Sequence, residues 1–301
     1  MPYNTRPTPR TKIFGRRLQK ARMAKGMTVE EVAERANVSE AAIYRHESGH
    51  TAVKTTMVPF YIDLYGITDP SEVAKWTEWS KKAKLKGPWA ASGGLVGPSY
   101  RDYADAEDMA DELRFWELSV IPGLLQTKRV SEQVIRAGML AEPGQPLVEP
   151  GTIDTHIALR EERKKLLERK DNAPMVWAIV GEAALLTPPT MNDPEAHRDQ
   201  LQHLLNLGET KATIQVVLQS SGPHAGLSGS FTCMTIDDID LVHREGYGDG
   251  AFIDVEDQVR VYRTRFERLV SQALSINDTR RYLLNVLGRI GRDNGKGDKP
   301  E

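Results

Sequence analysis

The chain has 301 residues, with 40 basic and 42 acidic side chains, a formal net charge of −2 and 40% hydrophobic content. That length predicts two domains, and the composition is that of a globular protein able to bury a core. The lone cysteine, Cys233, excludes an internal disulfide framework and a cysteine-rich zinc site. No apolar run approaches the ~20 residues that a bilayer demands, and residues 1–12 lack the apolar segment of a secretory signal, so a reduced, cytoplasmic protein with no membrane contact is expected.

In chain order, residues 1–9 are polar and Pro-rich and read as a disordered arm. A helix is predicted over 12–25, with Phe14, Leu18 and Ala21 at helical spacing and Gly26 as its stop. Thr28 N-caps a second helix, and Glu31 completes a capping box. Asn37 and Val38 make a turn. Ser39 caps a short helix over 40–47, which ends by Gly49. Helices over 56–65, stopped by Gly66, and over 71–84 follow. An all-α five-helix domain thus occupies residues 10–86. Residues 87–99, rich in glycine and proline, read as a linker.

A mixed α/β (α+β) domain is predicted over 100–290. It opens with a long amphipathic helix over 100–118 carrying Met109, Leu113 and Trp116 on one face. After the Ile121-Pro122-Gly123 turn come a helix to 137, a Pro-containing loop and a charged helix over 152–169. Strands are predicted over 175–180, 213–218, 230–236 and 241–245, with a helix over 194–207 between the first two. Helices over 255–274 and 278–287 close the domain. The glycine-rich stretch 222–229 reads as a wide hairpin loop, because a phosphate loop needs a helix N-terminus after it. Residues 291–301 read as a disordered tail.

The charge is uneven. Residues 1–54 hold eleven basic side chains against five acidic ones, a net of +6, which leaves −8 for the rest. A basic block on a near-neutral chain is the footprint of a polyanion-binding module.

Within that block, Val32, Ala33, Val38 and Ile43 are spaced to pack two short helices across a tight turn. Glu40, Ala41, Ala42, Tyr44 and Arg45 then face away from the core and are the candidates for reading base edges in a major groove. Arg45 suits guanine, and Ala41 or Ala42 suits a thymine methyl. Arg16, Arg17, Lys20, Thr28, Ser39 and Lys54 are the candidates for holding phosphates. Thr28, Val32-Ala33, Val38-Ser39, Ile43, Glu47 and Gly49 carry a resemblance to the helix-turn-helix of the Xre/lambda-repressor-like family. Val29 stands where that family usually has a glutamine that helps to bind a phosphate.

Residues 100–288 resemble the large C-terminal domain of actinobacterial antitoxin-like regulators. The matching residues are Glu107, Trp116-Glu117, the string from Ile121 to Thr127, Glu182 to Leu185, Gln200-Leu201, Gly222-Pro223-His224, Gly229-Ser230-Phe231 and Glu245. The resemblance implies a transcriptional regulator, often encoded beside a small partner protein that it binds.

The expectation is a sequence-specific regulator binding double-stranded DNA, with the second domain serving as homodimer interface and as partner or signal site. One alternative is an antitoxin-like module whose main role is binding the small partner protein. Another is a small-molecule sensor or enzyme using Glu182, His224 and Glu245 at strand ends, although such residues are more often caps. No catalysis, metal or cofactor is expected. His197 and His203, six apart, do not share a helix face as a metal pair would. Cys233, Trp116, Trp177 and Phe231 are expected in the core.

Overall fold

The computed structural model describes residues 7–85, 95–138, 151–188, 193–245 and 250–293. The chain divides into two compact units. Unit 1 is Met1–Ala90 with Arg101–Ala106 and Ile236–Ile239; unit 2 is the remainder.

Among the described residues, unit 1 holds five whole α-helices: α1 (Pro9–Ala24), α2 (Val29–Ala36), α3 (Glu40–Glu47), α4 (Val58–Tyr65) and α5 (Pro70–Lys82). The sequence rules that predict these helices operate at their ends. Thr28 Oγ1 accepts from the Glu31 N–H at 3.1 Å, while the Glu31 carboxylate accepts from the Thr28 N–H at 2.8 Å, closing the predicted capping box. Asn37 ends α2 in the left-handed region at φ 49°, which asparagine tolerates better than other residues with a Cβ. Gly66 does the same for α4 at φ 69°. The largest difference from expectation is at the first helix. Helix α1 begins at Pro9, because Thr8 caps it and proline suits the first helical position. Most of the predicted arm, residues 1–6, lies outside the described residues. The core of the unit is Ile13, Phe14, Leu18, Val32, Ile43, Tyr61 and Trp76, all at most 2% exposed. Phe14 meets Trp76 edge-on, with ring centroids 5.9 Å apart.

The rest of the chain forms α6 (Pro98–Met109), β1 (Glu112–Glu117), α7 (Lys128–Gly138), α8 (Thr152–Lys164), β2 (Met175–Gly181), α9 (Glu182–Leu186), α10 (Pro194–Thr210) and β3 (Ala212–Val217). These are followed by β4 (Phe231–Ile236), β5 (Ile239–Arg244), β6 (Ala251–Ile253), α11 (Glu256–Gln272) and α12 (Ile276–Asp293). The six strands make one mixed sheet of order β3-β2-β1-β4-β5-β6. Strand β1 runs parallel to β2, with Trp116 opposite Ile179, and antiparallel to β4, with Trp116 opposite Phe231.

Two expectations fail here. The helix predicted over 100–118 ends at Met109, and β1 follows it. Leu113, Phe115 and Trp116 are all at most 1% exposed; the alternation Glu112-Leu113-Arg114-Phe115 lasts only four residues before Trp116 breaks it, and Leu113 and Trp116 also stand at helical spacing. The stretch 222–229 is not a hairpin loop. Strands β3 and β4 are separated in the sheet by β2 and β1, so the segment is a crossover. The predicted linker falls mostly on residues 86–94, which lie outside the described residues, and Pro98 already belongs to α6. Helix α12 takes the first residues of the predicted tail, and 294–301 lie outside the described residues.

Cys233 is buried in β4, and burial pushes its thiol up to about 12, so it stays an uncharged core group. Among the described residues, no helix is long and apolar enough to cross a membrane.

Candidate nucleic-acid interface

Helix α3 starts where Ser39 Oγ accepts from the Ala42 N–H at 3.3 Å, leaving the N-terminal N–H groups of the helix directed outward. Its inner face is fixed. Ile43 is 1% exposed, and His46 and Glu47 are buried. The Glu47 carboxylate receives two bonds from the Arg22 guanidinium of α1, at 2.6 and 2.9 Å, and Arg22 also donates to the Met27 carbonyl at 2.8 Å. His46 Nδ1 and the Tyr61 hydroxyl of α4 share a hydrogen bond of 3.0 Å. Burial lowers the pKa of His46 and raises that of Tyr61 to about 12, so both are neutral near pH 7 and the bond involves no buried charge.

The approach of α3 to α1 is set by two glycines. A Cβ on Gly15 would stand 2.5 Å from the Glu47 carbonyl oxygen, and one on Gly49 would stand 2.7 Å from the Lys12 nitrogen. Gly49 also has φ +75°, a conformation that side chains disfavour.

The outer face of α3 carries Glu40, Ala41, Tyr44 and Arg45, all exposed, with Ala42 half-buried. Tyr44 is 58% exposed although it is a large aromatic. The five predicted base-reading residues therefore lie together on one short helix, away from its packed face.

The phosphate candidates separate into groups. Lys54, Thr28 and Ser39 are exposed, Thr28 at the start of α2, Ser39 at the start of α3 and Lys54 in the loop after α3, with Thr28 and Ser39 acting as caps. Arg16 is half-buried and donates to Gln19. Lys20 is exposed, and its ammonium reaches the Asp238 carbonyl at 2.9 Å. Arg17 departs from expectation. It is 6% exposed, and within unit 1 its guanidinium bonds Asp237, bonds Asp238 at 2.8 Å and lies 3.5 Å from Glu72. A guanidinium enclosed by carboxylates is a structural ion pair rather than a phosphate ligand. Arg10, likewise buried, pairs with Asp105 at 2.6 Å. The +6 of the first 54 residues is thus partly neutralised inside unit 1 by acids from later in the chain. Val29, at the position of the family glutamine, is 8% exposed and packs inward, so the start of α2 presents Thr28 and backbone N–H groups instead of an amide side chain.

Sequence reasoning missed Arg22, which anchors Glu47. Its only visible signal was membership of the basic block, and charge does not reveal a buried pairing.

In unit 2, Glu182, His224 and Glu245 each have different partners. Both oxygens of Glu182 are occupied, by the Tyr282 hydroxyl at 2.6 Å and the Gln219 N–H at 2.9 Å. His224 lies edge-on to Trp116, centroids 5.0 Å apart, and its Nδ1 accepts from the Gly226 N–H. It lines an open cleft of about 480 Å³ with Arg268 and Gln272 of α11. The charge of Glu245 acts on Glu117. Glu117 follows Trp116 in β1, and consecutive strand residues point to opposite faces, so Glu117 and the His224 ring against Trp116 lie on opposite faces of the sheet. His197 Nε2 bonds the Leu185 carbonyl at 2.7 Å. Among the described residues, no group of three or more His, Cys, Asp or Glu side chains is arranged to hold a metal.

A capped α2–turn–α3 unit with an exposed second helix is the geometry of a helix-turn-helix protein, and residues 13–81 match the model of the helix-turn-helix domain. Residues 100–285, more than half of the chain, match the model of a domain of unknown function (DUF5753), and the chain belongs to that family. No curated protein and no solved structure matches the chain.

Proposed function

We propose that the protein is a sequence-specific, DNA-binding transcriptional regulator of the Xre/lambda-repressor-like type, with α3 reading the major groove of double-stranded DNA. One observation carries this reading. Helix α3 is held to α1 and α4 by Ile43, His46 and Glu47, while Glu40, Ala41, Tyr44 and Arg45 stand exposed on its other face. A rigid short helix with an unpacked polar and aromatic face is what base readout demands.

A single helix-turn-helix reads one half-site, so the operator is expected to contain two, about 34 Å apart, read by a homodimer. The family domain is the proposed seat of dimerisation and of partner or signal binding, including the small partner protein of the antitoxin-like reading. The protein acts by binding rather than by catalysis. The support for this is that Glu182 is engaged through both oxygens and that the His224 ring packs against Trp116 and accepts from the Gly226 N–H.

The test is footprinting of the full chain on the DNA upstream of its own coding sequence at low salt. Protection of a paired half-site is expected. Absence of any protection overturns the reading.

A further inference from the structure

The crossover segment 222–229 is pinned to the sheet. Trp116 Nε1 donates to the Gly226 carbonyl at 3.0 Å. A Cβ on Gly226 would stand 2.2 Å from Trp116 Cε2, so only glycine lets the segment lie against the indole. The His224 ring meets Trp116 edge-on, and its Nδ1 accepts from the Gly226 N–H at 3.2 Å. Gln272 of α11 ties the segment from the other side, donating through Nε2 to the Pro223 carbonyl at 3.3 Å. Between the segment and α11 lies the open cleft of about 480 Å³, lined by Pro223, His224, Ala225, Arg268, Ser271 and Gln272. That volume suits a small molecule, and walls tied in this way need little ordering when one binds.

The polar groups left over in the cleft are donors. Because Nδ1 of His224 accepts, the neutral ring carries its proton on Nε2. Burial lowers the pKa of His224, so the ring is neutral near pH 7. Among the described residues, Nε2 has no hydrogen-bond partner. Arg268 is exposed, and its guanidinium forms no hydrogen bond or ion pair with another described residue. Its neighbours one helical turn away are Thr264, Arg265, Ser271 and Gln272, none of them acidic. Arg260 and Arg263 of the same helix, by contrast, pair with Asp257 and Asp240. Among the described residues, no carboxylate lines the cleft. One positive charge and one neutral N–H donor therefore stand beside the apolar surfaces of Pro223 and Ala225.

We infer that this cleft binds a small monocarboxylate with an apolar body, its carboxylate held by the Arg268 guanidinium and His224 Nε2. The inference rests on the signal-binding role proposed for the family domain, and it gives that role a place and a ligand class. A guanidinium presents parallel N–H donors that match the two oxygens of a carboxylate. A single positive charge is balanced by a monoanion, whereas a phosphate monoester brings about 1.5–2 negative charges at pH 7. The apolar body lies against Pro223 and Ala225, where apolar surface leaves water.

The test is thermal denaturation of the full chain, without DNA, in sodium phenylacetate. Phenethyl alcohol, phenyl phosphate and sodium chloride, at matched ionic strength, are the controls. A saturable rise in Tm is expected with phenylacetate, a smaller one with phenyl phosphate, and none with the alcohol or sodium chloride. In NMR spectra of the imidazole nitrogens, the Nε2 resonance of His224, assigned by its loss in His224→Gln, is expected to move with phenylacetate. Arg268→Gln alters an exposed residue, so it is expected to leave the unliganded Tm unchanged while weakening the apparent affinity about tenfold or more. No rise beyond sodium chloride, an equal rise with the alcohol or with phenyl phosphate, an unmoved His224 resonance, or undiminished affinity in Arg268→Gln overturns the site. Failure here strikes the cleft alone, since footprinting without phenylacetate decides the DNA reading by itself.

Discussion

At the residue scale, the side chains that matter divide by what surrounds them. Arg45 and Tyr44 are exposed on a fixed helix, whereas Arg17 and Arg22 have the same charge as Arg45 and are held by carboxylates. Arg45→Ala is expected to weaken specific DNA binding by about 1–3 kcal/mol, measured by fluorescence anisotropy, with thermal stability unchanged. Glu117 makes the opposite kind of prediction. Its pKa is raised in the folded protein from the model-compound value of 4.5 to about 8, so the native state holds a proton that the unfolded chain has released across that interval. Stability conferred by the protonated form is complete below pH about 4.5 and is lost as pH rises to about 8, at a limiting slope of about 1.4 kcal/mol per pH unit. Glu117→Gln is expected to flatten that slope in urea titrations at several pH values. An unchanged slope would place the proton elsewhere.

At the scale of elements, unit 1 is a case where local rules suffice. The Thr28 capping box, the Asn37 turn and the Ser39 cap are short-range chemistry, and they are read from neighbouring residues. Thr28→Ala is expected to cost about 1 kcal/mol of stability, seen as a lower urea midpoint at constant m-value. Gly15→Ala is expected to cost more and to weaken DNA binding as well, because its Cβ meets the Glu47 carbonyl at 2.5 Å and displaces α3 rather than a flexible side chain. Sheet elements are less legible. Strand β1 reads as the end of a helix because its alternation, Glu112-Leu113-Arg114-Phe115, is only four residues long, and Leu113 and Trp116 also satisfy a helical spacing. The crossover 222–229 looked like a hairpin because adjacency in sequence says nothing of the two strands inserted between β3 and β4. Gln126 and Ser230 stand in separate strings of the sequence, and only long-range packing brings Arg160 to the first and the Leu118 N–H to the second.

At the scale of the whole molecule, net charge is a poor guide until its partners are known. The chain totals −2 while its first 54 residues carry +6. Yet Arg10, Arg17 and Lys20 already meet Asp105, Asp237 and Asp238 within unit 1. The charge that remains for DNA is therefore smaller than the sequence total suggests. Specific binding should still weaken linearly with the logarithm of salt concentration. Lys54→Ala is expected to reduce that slope by about one. Arg17→Ala is expected to leave the slope unchanged while lowering stability, since it removes a buried guanidinium and its ion pairs with Asp237 and Asp238.

The central claim is that α3 reads sequence. In vitro selection from a pool of random duplexes, using the full chain and its Arg45→Ala variant in parallel, tests this most directly. The wild-type protein is expected to enrich a motif with two related half-sites, and the variant to lose preference at one position in each half-site while still binding DNA. Recovery of the same motif with undiminished preference from the variant would contradict the assignment of α3 as the reading helix.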